Sequence, residues 1–322
     1  MGPGPFIICF IIFFFIVLCL VLGGLLRVFQ RLPKNAPHVL NALVIWVSLP
    51  ALILIQIPAL LDQTKFGWDY LIPISMAWIL FVMAFLVFSL VGKIFKWQTK
   101  EIGALVLTAG LSNTSFLGYP ILIAFFGLEG LRIAVLVDQL GTFLVFGTLA
   151  VMAASYFSPA ASKTIKLGEI LKRIITFPPL IALILAMLWH LTGTYGYKDA
   201  LNVLGQLSAT VIPLALIAVG FQLKLSKEVL IRQWKPLVLG LSFKLILAPM
   251  IFVVLYVFIF SSRTFPVRIT ILQAAMAPMI LGAVLAEEFG LNAEIANLMV
   301  GVGIPISILT VYLWNQILSK IF

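Results

Sequence analysis

Charge is the first thing this chain lacks. Only 10% of its 322 residues are charged and 63% are hydrophobic, with a mean hydropathy of +1.19. That composition excludes a soluble globular domain. The longest polar stretch runs roughly from Ser158 to Arg173, too short for a sizeable soluble domain. Cysteine is scarce as well. Cys9 and Cys19 both lie in the first apolar run, so no disulfide framework exists. The two histidines, His38 and His190, sit near span ends and far apart, which excludes a metal-ligand spacing. An intramembrane enzyme would need Ser–His, paired Asp or metal ligands within reach. Here Asp138 is the only Asp well inside an apolar run, and His190 has no evident partner. The chain therefore reads as no enzyme, with no cofactor and no metal. The net charge of +10 does not indicate nucleic acid, because Lys and Arg are scattered over short loops as membrane topology requires.

What the chain has in abundance is long apolar runs, the mark of a polytopic membrane protein in a lipid bilayer. Phe6–Val28 is the first. No positive charge precedes it and no small-x-small cleavage site follows, so it reads as a retained helix rather than a signal peptide. Ala42–Leu61, Tyr70–Phe95, Ile102–Phe126, Ile133–Phe157, Ile175–Leu191, Leu204–Phe221, Pro236–Phe260, Val267–Leu285 and Ala296–Ile317 follow, giving ten expected spans. The loops after spans 1, 3, 5 and 7 hold fourteen Lys and Arg, against six on the other side; Lys244, inside a span, is not counted. This bias places odd-numbered loops in the cytoplasm and both termini outside, in the inner (plasma) membrane.

A repeat runs through the chain. Pro50 and Pro213 lie mid-span and 163 residues apart. The tripeptide Phe-Gly-Leu occurs at 126–128 and again at 289–291, the same offset. The implied unit is five spans, and an odd number of crossings turns the second copy upside down. The expected fold is all-α, with ten transmembrane helices in two inverted five-helix repeats, 1–157 and 175–322. A cytoplasmic linker at 158–174 joins them.

The most informative stretch is Gly110–Pro120, GLSNTSFLGYP, in the middle of span 4. Glycine frees the backbone and proline removes an N–H. Polar groups opened at that depth survive only where they are buried in protein or line a wet cavity. Broken helices are where secondary transporters place substrates and ions. Ser112, Asn113, Thr114, Ser115, Gly118 and Pro120 are the candidate substrate-binding residues of this break, with Asn113 first among them. At the repeat offset, span 9 carries a second break around Met276, Pro278 and Gly282, with Met279 beside it. The first break is polar; the second offers mainly backbone groups and soft Met side chains.

Three ionisable or polar residues inside spans complete the set. Asp138, followed by Gln139, lies in span 5, where a carboxylate is costly; the pair is the candidate for ion coupling. Lys244 lies near the middle of span 8, beyond easy snorkelling reach. It is expected to pair with an acid, Asp138 being the candidate, or to meet an anionic substrate. Glu287 and Glu288, at the end of span 9, are expected to be solvated.

This pattern resembles the auxin efflux carrier family, in its bacterial branch. The family's Asn-Thr-x-Phe-x-Gly-x-Pro pattern is matched at Asn113, Thr114, Phe116, Gly118 and Pro120. The resemblance implies the bile-acid-symporter-like fold. Spans 1, 2, 6 and 7 would form a scaffold, through which such folds pair as homodimers. Spans 3–5 and 8–10 would form a transport domain in which helices 4 and 9 cross at their breaks. It carries the family's binding asparagine onto Asn113. Plant members bear a second asparagine where this chain has Met276, which argues against a plant-like auxin site. The reading is a secondary transporter of a small organic anion, a carboxylate such as malate or malonate or an auxin-like acid, coupled to H+ or Na+. A gated channel and a membrane sensor or assembly factor are the competing classes.

Overall fold

The computed structural model describes residues 5–33, 35–63, 68–159, 168, 175–192, 198–222 and 227–322. The linker expected at 158–174 lies almost wholly outside them, as do the loop cations Lys34, Lys65, Lys163, Lys166, Lys172, Arg173 and Lys224. The described residues form helices and no strand, with one isolated antiparallel bridge between Ser112 and Pro278.

In chain order the helices used below are α1 (Pro5–Val28), α2 (Ala36–Leu43), α3 (Leu49–Gln63), α4 (Trp68–Ile94), α5 (Thr99–Ala109), α6 (Gly118–Val137) and α7 (Val151–Phe157). They continue with α8 (Pro178–Leu191), α9 (Lys198–Ala209), α10 (Val211–Gln222), α11 (Lys227–Arg232), α12 (Trp234–Ser242), α13 (Ala248–Phe252), α14 (Phe265–Ala274), α15 (Ile280–Glu288) and α16 (Ala293–Leu318). Several are joined through π-helical turns, notably at Val44–Ser48, Asp138–Phe143 and Phe243–Leu247.

Six continuous helices among the described residues are long and apolar enough to cross a membrane: Ala36–Asp62, Leu71–Ile94, Gly118–Phe157, Ala200–Gln222, Trp234–Ile259 and Ala293–Leu318. Phe14–Val28 and Pro178–Leu191 are shorter apolar helices. Two of the ten runs expected from the sequence are missing from these six for a physical reason. The fourth and ninth apolar runs are interrupted, so α5, α14 and α15 are half-length pieces. The second half of the fourth run continues into the fifth through Gly127, whose φ of 63° breaks the helical path within one uninterrupted segment.

The chain divides into two compact units, each drawing on both halves of the sequence. The first comprises Met1–Phe66, Ser115–Gln139 and Ile175–Leu223. In it α1 packs along α10, and α3 packs on α6, α8 and α9. Glycines set the α1–α10 distance. A Cβ on Gly23 would lie 2.2 Å from the Ile217 carbonyl oxygen, and one on Gly220 would lie 2.1 Å from that of Leu20. Such close backbone approach is how membrane helices associate where lipid removes the hydrophobic drive. The two mid-span prolines act here as proline must. Pro50 has no N–H to give the carbonyl of residue 46 an α-type bond, and that residue lies within the π turn Val44–Ser48. Pro213 does the same to residue 209, where α9 ends and α10 begins.

The second unit comprises Gly67–Thr114, Leu140–Ile174 and Lys224–Phe322. α5 is its centre, touching α4, α7, α15 and α16. Gln98 and Glu101 cap its start reciprocally, and every residue from Ile102 to Ala109 is buried. A helix apolar on all faces belongs in such a core. α14 packs on α4 and is buried from Ile269 to Ala274.

Candidate functional site

Two chain breaks meet in the second unit. α5 stops at Ala109, where Gly110 closes the last turn by donating its N–H to the Val106 carbonyl at 2.9 Å. α14 stops at Ala274, and α15 starts at Ile280. The two intervening stretches run antiparallel. Asn113 N–H donates to the Ala277 carbonyl at 2.9 Å, and Met279 N–H donates to the Leu111 carbonyl at 3.1 Å. Ser112 and Pro278 face each other between those bonds. This is the non-hydrogen-bonded position of an antiparallel pair, the one place where proline's missing N–H costs no ladder bond. The breaks thus satisfy each other's backbone at a depth where water does not.

Glycine and proline hold the pieces close. A Cβ on Gly282, in the first turn of α15, would lie 2.6 Å from the Leu107 carbonyl oxygen of α5. A Cβ on Gly303 of α16 would lie 2.7 Å from Pro278 Cδ. Ser112, Asn113, Thr114, Met276 and Met279 are all buried, as are Pro278 and Gly282.

Lys244 enters this arrangement from the π turn Phe243–Leu247. It is fully buried. Its ammonium donates to Ser112 Oγ and, at 2.9 Å, to the Ala274 carbonyl at the end of α14. Among the described residues of its own unit, no acid pairs with Lys244. Arg232 pairs with Glu294 and His190 approaches Asp62, and neither contact involves Lys244. The reason is that the break in the ninth run exposes a helix-end carbonyl, which takes the place that a carboxylate would have filled. His190, which had no evident partner in the sequence, lies with Nδ1 3.4 Å from Asp62 Oδ1.

The remaining candidates fall in the first unit. Ser115 precedes α6, and Gly118 and Pro120 lie in its first turn; all three are buried. Between Gly118 and Pro120, the Tyr119 hydroxyl donates to Asp138 Oδ2 at 2.7 Å, and Gln139 Nε2 donates to the same oxygen at 3.2 Å. Asp138 opens the π turn Asp138–Phe143 and has no exposed surface. Tyr119 is the residue that sequence reasoning missed. A signal existed: a buried tyrosine hydroxyl needs a partner, and Asp138 was the only Asp well inside an apolar run. Glu287 and Glu288 are exposed, in keeping with solvated ends.

Apolar helices of spanning length, paired breaks inside buried helices and a buried lysine held at those breaks define a class: polytopic membrane transport proteins. The comparison with known families agrees. The family described as "Membrane transport protein", which is auxin efflux carrier-like, matches residues 7–315, and the chain belongs to it. It is 29% identical over 315 residues to an uncharacterized transporter of Methanothermobacter thermautotrophicus, covering 94% of this chain and 96% of the relative. It is 26% identical over 307 residues to an uncharacterized transporter of Methanocaldococcus jannaschii, covering 94% and 97%. Family and relatives indicate a transporter rather than an enzyme.

Proposed function

We propose that this protein is a secondary carrier that moves a small organic anion across the plasma membrane by alternating access, with the paired breaks as its binding site. The observation that carries this reading is Lys244: a fully buried ammonium held by two neutral oxygens and in no ion pair among the described residues. Neutral oxygens leave the site a net positive charge, whose burial is costly, and a bound anion would offset that cost. Asn113 supports the same reading. Its backbone is pinned by Ala277, which fixes where its amide side chain starts. That amide can donate to a carboxylate. The N-terminal end of α15, opening at Ile280 beside Pro278, favours an anion through its dipole.

In this reading the fold is that of ten helices in two inverted repeats, with runs 4 and 9 crossing at their breaks. Both glycines of the repeated Phe-Gly-Leu tripeptide support the repeat: Gly127 and Gly290 have φ of 63° and 67°. Spans 1, 2, 6 and 7 would serve as scaffold and dimer contact, and spans 3–5 and 8–10 would carry the site. Asp138 with Gln139 would be the group whose charge changes during the cycle.

The test is thermal unfolding of the detergent-purified protein against mono- and dicarboxylates and indole acids. A ligand at about a hundred times its Kd stabilises by roughly 2.7 kcal/mol. At least one acid is expected to raise the wild-type Tm and to leave Asn113→Ala unmoved. If no acid stabilises the wild type and none is carried into liposomes, the anion-carrier reading is wrong and a sensor without transport takes its place.

A further inference from the structure

The end of α14 leaves one carbonyl for a cation. Ile271 and Leu272 carbonyls accept from Ala275 N–H, and the Gln273 carbonyl accepts from Met276 N–H. The next carbonyl, Ala274, accepts from the Lys244 ammonium. The second oxygen on that ammonium is the Ser112 hydroxyl, three residues past the end of α5. The C-terminal end of one half-helix and a hydroxyl from the break that follows the other thus meet one nitrogen. Such an end carries about half a negative charge. In broken-helix carriers, unwound carbonyls and C-terminal half-helix ends are the groups that coordinate a coupling cation. Backbone carbonyls at such breaks are the oxygens that coordinate Na+.

We propose that the Lys244 ammonium is a tethered cation that permanently fills a cation site at the paired breaks. The carrier therefore runs without sodium, and removing the ammonium turns the position into a site for a small diffusible cation. The side chain arrives from a π-helical turn, Phe243–Leu247, which displaces Lys244 from regular α register. Such turns recur at functional sites. Asp138, in the first unit, takes donors from Tyr119 and Gln139. The positive charge at the breaks is consequently part of the chain rather than an ion that must bind each cycle. This inference goes beyond the carrier reading, since it concerns the resident cation and not the transported anion.

The experiment compares wild type, Lys244→Ala, Lys244→Met and the double variant Lys244→Ala with Ser112→Ala. Tm is read in sodium, methylammonium and choline chlorides at equal ionic strength. The wild type is expected to be indifferent among the three salts. Lys244→Ala is expected to melt lower in choline and to regain several degrees in methylammonium, which replaces the lost end of the side chain, or in sodium. Lys244→Met, which fills the space without charge, is expected to respond to neither, and the double variant to respond less than Lys244→Ala. A wild type stabilised by sodium overturns the proposal. So does a Lys244→Ala protein that behaves like Lys244→Met, or one that cannot be purified folded in any of the three salts. Organic anions play no part in these readings, so a failed carboxylate panel and a failed cation rescue are separate results.

Discussion

Lys244 and Asp138 are both without exposed surface, and each sits in a π-helical turn. Their partners differ in kind. The ammonium faces neutral oxygens, whereas the carboxylate faces two donors on one oxygen. Tyr119 therefore holds Asp138 in place. Tyr119→Phe is expected to cost about 1–3 kcal/mol, the range for leaving a buried polar group without its partner. In an Asp138→Asn background the same substitution should cost less, because two residues in contact are not additive. Equal costs in both backgrounds would show that the hydroxyl acts independently of the carboxylate. At this scale the sequence announced which residues were unusual but not what they touch. Asn113, Asp138 and Lys244 stand out in apolar runs, yet the Ser112 hydroxyl and Ala274 carbonyl become partners of Lys244 only through the folded breaks.

Between elements, the decisive contacts are made by residues with little or no side chain. α15 approaches α5 so closely that Gly282 has room for no Cβ, the obstacle being backbone at Leu107. Gly282→Val is expected to destabilise by about 1–3 kcal/mol or more through overpacking, and to abolish any ligand-dependent rise in Tm. Gly290 is a different case. A Cβ there meets nothing within 4 Å, and only its φ of 67° resists substitution. Gly290→Ala should cost about 1–2 kcal/mol while leaving the ligand response intact. Comparing the two variants by thermal unfolding separates close approach from backbone conformation. The breaks themselves were legible, because glycine, proline and polar residues interrupt apolar runs at 110–120 and 276–282. The π turns were not. An i to i+5 bond changes no residue type, and Asp138–Phe143 or Phe243–Leu247 carry no composition that sets them apart from α-helix.

For the molecule as a whole, apolar composition made the membrane class plain, while the way one run divides into helices did not follow from hydropathy. A run such as Ile102–Phe126 counts as one span on hydropathy, yet its backbone is a half-helix, a break and the start of another helix. The grouping of Ser115–Gln139 with Met1–Phe66 and Ile175–Leu223 was likewise not legible, since it depends on contacts far apart in sequence. Orientation is a prediction of the loop charges alone. In a cysteine-free background, Lys320→Cys should react with a membrane-impermeant maleimide in intact cells. Lys100→Cys should react only after lysis. The reverse pattern would invert the topology.

The mutual hydrogen bonding of the two breaks also bears on biogenesis. Asn113 N–H finds its acceptor in Ala277, and Leu111 its donor in Met279, so each break completes a backbone contributed by the opposite half of the chain. During synthesis the first break emerges long before the second exists. Until then its amides must be sheltered by the insertion machinery or by water, for lipid offers them nothing. A ribosome-bound chain that ends before α14 should therefore be a target for membrane quality control, and acquisition of protease resistance should wait for residues 275–279.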